Sequence, residues 1–142
     1  MSFEDNKALA RRFRETMDST GGVGGEAFIA PTATFYMAGS PPMNREHVQG
    51  FLRVFYGAFS GLHHTFEDQM AEGDKVMSRL TLHGTHTGAF QGIPPTDKAV
   101  ALQEIVVDRF AEDKVVEHWA IVDMLGLLQQ LGAIPQPAQA GA

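Results

Sequence analysis

The residue best placed for acid–base chemistry is Asp123, which follows an apolar run from Trp119 to Val122. A carboxylate in apolar surroundings holds its proton more readily than one in water, so it can both remove and return a proton. Asp is also a favoured helix cap, because its side chain accepts hydrogen bonds from the first backbone N–H groups. A helical pattern begins at Met124. The sequence therefore leaves Asp123 open as a proton carrier, as a cap, or as both.

The face on which Asp123 lies depends on the register of the strand before it. In a regular strand every second residue shares one face, unless a bulge intervenes. For the predicted strand 114–122 and its continuation, that face carries Val115, Glu117, Trp119, Ile121 and Asp123. Burial beside Trp119 and Ile121 would then desolvate the carboxylate. We expect Trp119 to be part of the core or of a pocket wall rather than a reactive group.

Two further side chains offer polar contacts to a ligand. Tyr36 could place its hydroxyl in a pocket, or could belong to the core with its hydroxyl bonded. Arg79 lies in an otherwise apolar strand. It could bind an acidic or carbonyl-bearing substrate, or it could pair with Glu104 or Asp108.

The rest of the pattern predicts the elements that position these residues. Apolar spacing and capping residues predict a helix from Ser2 to about Thr20, a helix from Asn44 to Phe59, and a short helix over 124–131. At most a short helix is expected over 25–30. Alternating residues predict a short strand at 34–37 and two hairpins built from strands 64–71, 75–85, 99–110 and 114–122. Helices followed by an antiparallel meander indicate an α+β fold with helices on one face of a sheet.

The predicted strand 99–110 is apolar on both faces. One face carries Val100, Leu102 and Val106, and the other carries Ala101, Ile105 and Val107. A sheet with water on one side should alternate more cleanly. We therefore expect the second face to contact another chain, and a homodimer is the simplest arrangement.

Composition limits the classes of function. The 142 residues carry a formal net charge of −6 and no Cys, which argues against a nucleic-acid partner and against thiolate chemistry. His83 and His86, three apart in a strand, point to opposite faces, so we expect no metal site. Neither a signal peptide nor a membrane-spanning run is apparent, so a cytoplasmic protein without a membrane partner is expected. We predict one domain over 1–142, with a loose tail from Pro135.

Several motifs resemble the SnoaL-like polyketide cyclases, in the nuclear transport factor two-like superfamily. The resemblance covers about 62–132 closely and the N-terminal helices by pattern. The motifs are Gly73-Asp74-Lys75-Val76, Gly84-Thr85-His86-Thr87-Gly88, Gly92-Ile93-Pro94-Pro95-Thr96, Glu117-His118-Trp119 with Asp123, and Leu127-Leu128-Gln129-Gln130-Leu131-Gly132. The chain departs from the family at Phe59-Ser60-Gly61, where Phe-Pro-Asp is common, and at Tyr36, where a histidine is common.

The resemblance implies a cone-shaped, curved antiparallel sheet wrapped around helices, with a deep apolar pocket inside. It implies that Asp123 is the general acid/base of an intramolecular aldol closure that needs no metal or cofactor. Donors for the enolate oxygen would be Gln103, Arg109, Tyr36, and His118 if a bulge turns it inward. The substrate would be a small apolar carbonyl compound. The fold also hosts isomerases, dehydratases, epoxide hydrolases and non-catalytic binding proteins, and these alternatives stay open.

Overall fold

The computed structural model describes residues 2–135, so the predicted loose tail lies, apart from Pro135, outside the described residues. The helices are α1 (Phe3–Thr20), α2 (Arg45–Ala58) and α3 (Met124–Gln130), with a 3-10 helix at Val23–Phe28. The strands are β1 (Ile29–Met37), β2 (Phe59–Glu72), β3 (Lys75–His86), β4 (Ala99–Ala111) and β5 (Lys114–Val122). None of the described helices is long and apolar enough to cross a membrane.

Both long helices begin at the caps that the sequence predicts. The Ser2 hydroxyl accepts a hydrogen bond from the Asp5 backbone N–H at 3.1 Å, and the Asp5 carboxylate accepts one from the Ser2 N–H at 3.2 Å. Asn44 accepts from the backbone N–H of His47 at 2.9 Å. These bonds satisfy donors that the first helical turn leaves free. The helix α1 ends at Gly21, whose φ of 65° lies in the left-handed region that favours glycine.

The five strands form one curved sheet in the order β1-β5-β4-β3-β2. The strands β2 to β5 are an antiparallel meander, as predicted. The α+β class is therefore confirmed, but the sheet is mixed rather than wholly antiparallel, because β1 pairs with β5 in parallel. The chain leaves β1 through α2 and enters the sheet again at the opposite edge, so β1 and β5 meet only when the fold closes.

A bulge in β5 changes which side chains face the interior. Arg109 pairs with Glu117, but the next residue of β4, Phe110, pairs with Val115, so β5 contains one extra residue here. Val115 and His118 are both buried although they are three residues apart. A bulge of this kind shifts the alternation by one residue.

The shift in register corrects the predicted face of β5. Beyond the bulge, His118 and Ala120 are buried, whereas Ile121 is 68% exposed. Trp119, Ile121 and Asp123 therefore do not share a buried face with Val115. The condition stated for His118, a bulge that turns it inward, is met.

The core lies between the helices and the inner face of the sheet. One group of buried side chains joins α1 to β1 and the hairpin ends, and includes Leu9, Phe13, Met17, Ile29, Phe35, Val76, Phe110 and Val115. A second group joins α2 and α3 to the middle strands, and includes Phe55, Phe59, Leu80, Leu82, Phe90, Leu102, Val106 and Leu127. The outer face of the sheet is less covered, since Ile105 is 49% and Ile121 68% exposed.

Candidate active site

An internal cavity of about 90 Å³ lies between the helices and the inner face of the sheet. Its walls are mainly apolar and are formed by Phe13, Met17, Phe35, Met37, Met43, Val48, Phe51, Leu52, Phe55, Leu82, Leu102, Ala120, Val122 and Met124. Six polar or charged residues also belong to this lining: Arg14, Tyr36, Tyr56, His64, Glu104 and His118. Apolar walls with a few convergent polar groups are typical of a small-molecule site, whereas the volume is smaller than the roughly 300–1,000 Å³ of such sites.

The first polar group in the cavity is a His–Asp pair that the sheet register creates. Asp108 of β4 lies directly opposite His118 of β5. The Nδ1–H of His118 donates to Asp108 Oδ1 at 2.6 Å, and Arg14 Nη2 donates to Asp108 Oδ2 at 3.4 Å. The Asp108 side chain is 1% exposed and that of Arg14 4%. One buried carboxylate therefore holds a guanidinium on one oxygen and an imidazole on the other.

The Asp108 carboxylate stays ionised despite its burial. Burial alone would raise its pKa, but the charge of Arg14 and the contact with His118 outweigh that effect and hold the pKa below its ordinary value. An ionised Asp108 accepts the Nδ1–H of His118, so the ring presents Nε2 as its other nitrogen. Because His118 lines the cavity, an imidazole of fixed orientation faces a potential ligand.

A second charged group lies on the same cavity and is centred on His64. The Nδ1–H of His64 donates to Asp18 Oδ1 at 2.8 Å, and Nε2 lies 3.4 Å from Glu104 Oε1. The Tyr56 hydroxyl donates to Asp18 Oδ1 at 2.7 Å. The His64 side chain is 5% exposed. An imidazole between two carboxylates can donate from both nitrogens only when it is protonated.

The pKa shifts in this second group agree with its geometry. Burial alone would lower the pKa of His64, but its hydrogen bonds to Asp18 and Glu104 outweigh burial and raise the pKa above its ordinary value. Burial alone would raise the pKa of Glu104, and the contact with His64 lowers it instead. The pKa of Tyr56 is raised by burial and by its bond to Asp18, so its phenol stays neutral.

Asp123, the predicted proton carrier, lies at the end of β5 and caps α3. Its carboxylate accepts a hydrogen bond from the Gly126 N–H at 2.9 Å. A Cβ at position 126 would collide with that carboxylate, which explains a glycine inside the helix. The predicted apolar surroundings are wrong, because Asp123 is exposed on the outer surface beside Ile121. The capping role is present, and a catalytic role for Asp123 stays a prediction.

Two aromatic residues that were predicted to belong to the binding site stack on each other. Tyr36 and Trp119 are register partners in β1 and β5, and their rings are nearly parallel with centroids 5.7 Å apart. Lys75 Nζ lies 5.4 Å from the centre of the Trp119 ring. Tyr36 contributes to the cavity lining, whereas Trp119 does not. The adjacent pair, Phe35 and His118, has its rings 4.8 Å apart on the inner side.

The remaining predicted site residues lie on the outer face of the sheet. Arg109 donates to Glu117 at 2.6 Å and lies 3.5 Å from Asp74. Gln103 and Arg79 are exposed and lie near Asp123 on the outer surface. Glu104 and Asp108 were proposed as partners for Arg79, but both acids face the interior instead. Of the predicted set, the structure brings only His118 and Tyr36 to the cavity.

Sequence reasoning did not select Arg14, Asp18, Tyr56, His64, Glu104 or Asp108 as site residues. A signal was available for the two acids of β4. The buried positions Val100, Leu102, Val106 and Phe110 are all even-numbered, and Glu104 and Asp108 share that parity. Charged residues on the apolar face of a strand indicate a buried polar cluster, because an isolated buried charge is strongly unfavourable. In residues 2–135, no group of three or more His, Cys, Asp or Glu is arranged to hold a metal ion.

Comparison with known proteins identifies the family. The family described as SnoaL-like polyketide cyclase matches residues 7–131. The chain belongs to this family. The expectation from the sequence motifs is confirmed at this level.

The chain is similar to three curated relatives, all of them methyl ester cyclases of Streptomyces. It is 35% identical over 60 residues to nogalonic acid methyl ester cyclase of Streptomyces nogalater, covering 42% of this chain and 45% of that protein. It is 34% identical over 85 residues to aklanonic acid methyl ester cyclase DnrD of Streptomyces peucetius, covering 59% and 58%. The matched segments thus span about half the length of these relatives.

Solved structures resemble the whole chain. AclR of Streptomyces galilaeus, provisionally assigned as a hydroxylase, superposes with a TM-score of 0.90 at 28% identity, covering 97% of this chain and 87% of AclR. IdmH of Streptomyces antibioticus, provisionally assigned as a polyketide cyclase, gives 0.73 at 29% identity, covering 93% and 99%. A protein of Catenulispora acidiphila with a ketosteroid isomerase-like fold gives 0.72 at 17% identity, covering 87% and 92%, and supports the fold alone.

Proposed function

We propose that the chain is a cofactor-independent acid–base enzyme that closes a ring in a small apolar carbonyl compound by intramolecular aldol reaction. The observation that carries this proposal is the His118 imidazole, which lines an apolar cavity and is held by the buried Asp108 carboxylate at 2.6 Å. The family and the cyclase relatives support the reaction class.

The proposed reaction needs only proton transfers. Neutral His118 takes a proton at Nε2 from a carbon next to a carbonyl group, and the electron pair moves onto the carbonyl oxygen as an enolate. The enolate carbon then bonds to a second carbonyl carbon of the same molecule. The resulting alkoxide takes the proton back from His118. The product is an isomer of the substrate, so no oxidant or reductant is consumed.

Asp108 acts on the substrate through His118 and is a positioning residue. By accepting the Nδ1–H, it fixes the tautomer in which Nε2 is basic, and it stabilises the imidazolium that forms. This division between an orienting carboxylate and a reacting imidazole is used by enzymes of unrelated fold. Asp123 remains the alternative proton carrier for the same reaction. Because it lies on the outer surface and His118 lines the cavity, substitutions at the two positions distinguish the two hypotheses.

Ring closure is tested with nogalonic acid methyl ester and aklanonic acid methyl ester, the compounds named for the relatives. Wild-type protein should convert at least one of them to a product of unchanged mass and altered retention time. Deuterium exchange at the carbon next to the carbonyl, measured in D₂O, reports the first proton transfer separately. Binding of both esters without exchange or closure would contradict catalysis and support the non-catalytic carrier.

We also propose that the outer face of the sheet packs against a second copy of the chain. Ile105 and Ile121 are exposed there on adjacent strands, at paired positions of β4 and β5. Light scattering at micromolar concentration should give the mass of a dimer, and Ile121→Asp should lower it towards the monomer. A monomer mass for the wild type would contradict this proposal.

A further inference from the structure

Arg14 carries a buried donor that the protein itself does not use. The residue is 3% exposed and lines the cavity. Its Nη2 donates to Asp108, but Nη1 has no hydrogen-bond partner among residues 2–135. A buried guanidinium normally has its donors satisfied, because each orphaned charged donor carries a desolvation cost. Nη1 is therefore an unpaired buried donor on a residue that lines the cavity, and it can donate to an acceptor.

The contacts of Arg14 within the protein leave Nη1 available to a ligand oxygen. The guanidinium packs on the face of Phe13, with Cζ 4.6 Å from the ring centre, and Met17 lines the wall one turn further along α1. Its pairing with Asp108 is through one nitrogen at 3.4 Å, whereas a two-pronged pair would occupy both terminal nitrogens. Arg14 also interacts by charge with Glu104 on the same cavity, but among residues 2–135 neither carboxylate accepts a hydrogen bond from Nη1, so this donor is left for a ligand oxygen.

We propose that Arg14 Nη1 binds the oxygen of an enolate, or of an acidic enol or phenol, in the bound substrate. The inference rests on the proposed function and narrows its substrate class to apolar, ring-bearing carbonyl compounds with an acidic enol or phenol. Arg14 holds the oxygen that becomes negative, and His118 removes the proton that makes it so.

The arrangement around Asp108 allows Arg14 to bind the substrate oxygen while His118 removes the proton. Arg14 contacts Oδ2 of this carboxylate and His118 contacts Oδ1, so both groups are fixed by the same side chain and line the same cavity. A carbonyl oxygen and the carbon next to it are two bonds apart. One substrate can therefore place its oxygen at Arg14 and its acidic carbon at His118.

Binding of 4-nitrophenol tests the inference without requiring turnover. Its phenolate resembles an enolate, absorbs visible light and can be titrated; nitrobenzene has the same ring without the ionisable oxygen. Wild-type protein should bind 4-nitrophenolate at least about tenfold more tightly than nitrobenzene, as a charge-assisted hydrogen bond predicts. Bound probe should also ionise at a lower pH than free probe.

Arg14→Met should remove the preference for the phenolate while retaining nitrobenzene binding. Arg12→Met is the matched control, since Arg12 is on the same helix but exposed, and it should leave both affinities unchanged. Arg14→Met leaves Asp108 as an unpaired buried charge, so Arg14→Met/Asp108→Asn is the second variant and should show the same loss of preference. Equal binding of phenolate and nitrobenzene by the wild type, or full retention of the preference in a folded Arg14 variant, would overturn the inference.

Failure of the Arg14 inference can be distinguished from failure of the proposed cyclase function. Phenolate preference without closure of either ester would retain the Arg14 site and reject the cyclase. Ester closure without phenolate preference would retain the cyclase and reject Arg14 as the oxygen site.

Discussion

The inner and outer faces of β4 and β5 carry the same kinds of side chain in opposite environments. On the inner face, Asp108 and His118 form a bonded pair whose carboxylate is 1% exposed. On the outer face, Arg109 and Glu117 form an ion pair whose side chains are 33% and 30% exposed. The two pairs come from adjacent positions of the same strands. Residue type alone therefore does not determine which pair is buried at the cavity; position relative to the bulge does.

Exposure to water determines how much each pair contributes to the stability of the folded protein. An exposed ion pair gains little, because solvent already stabilises its separate charges. A buried pair contributes little net stability when intact, yet loss of one partner leaves an uncompensated charge in the interior. We therefore expect substitutions on the inner face to affect both stability and activity, and substitutions on the outer face to affect neither strongly.

The largest expected effect on stability is at Asp108. Asp108→Asn leaves Arg14 buried without its counter-charge and should lower the free energy of unfolding by about 3–5 kcal/mol. The matched outer substitution Glu117→Gln should lower it by less than about 1 kcal/mol. Urea unfolding of the two variants measures both values. Similar losses at the two sites would remove the distinction between the faces.

A second expected effect is a pH dependence that comes from His64. Its pKa is raised in the folded protein above the ordinary value of 6.5, because Asp18 and Glu104 accept its hydrogen bonds. The stabilisation is fully present below the unfolded pKa and is lost as pH rises through the folded pKa. The stability advantage of wild type over His64→Gln should therefore shrink as pH is raised above 6.5.

Urea unfolding of wild type and His64→Gln between pH 6 and pH 9 checks this prediction. His63→Gln, on an exposed neighbour of the same strand, is the control and should show no such trend. A constant difference between wild type and His64→Gln would contradict a protonated imidazole between the two carboxylates.

The smallest expected effect is at the outer end of β5. Asp123→Ala removes the cap of α3 and should cost about 1 kcal/mol, whereas Asp123→Asn should cost almost nothing, because Asn caps as well as Asp. Thermal unfolding of both variants measures the difference. A loss for Asn as large as that for Ala would show that the negative charge, rather than the capping oxygen, supplies the stabilisation.

Local features of the fold were predictable from the sequence, and pairings between distant segments were not. Ser2 and Asn44 mark helix starts, and the turns near Gly73 and Asp113 mark the hairpins, because each signal lies within a few residues. The parallel pairing of β1 with β5 joins segments about 85 residues apart and leaves no local mark.

The candidate site was predictable only in part for the same reason. His118 was selected conditionally, since the bulge that turns it inward depends on how β5 pairs with β4. Arg14 and His64 were missed because their partners lie 94 and 46 residues away in the chain. Asp123 was selected because an acid after an apolar run can be either a buried group or a helix cap, and the resemblance to the family implies the acid/base role.

Comparison of His118→Asn with Asp123→Asn decides whether the reacting acid–base group lies inside the cavity, as we propose. Initial rates of deuterium exchange and ring closure are measured for both variants on whichever ester the wild type converts. We expect a loss of about 10²- to 10⁴-fold in kcat for His118→Asn, and a rate close to wild type for Asp123→Asn. A folded Asp123→Asn variant without activity, alongside an active His118→Asn variant, would instead assign the proton transfer to Asp123.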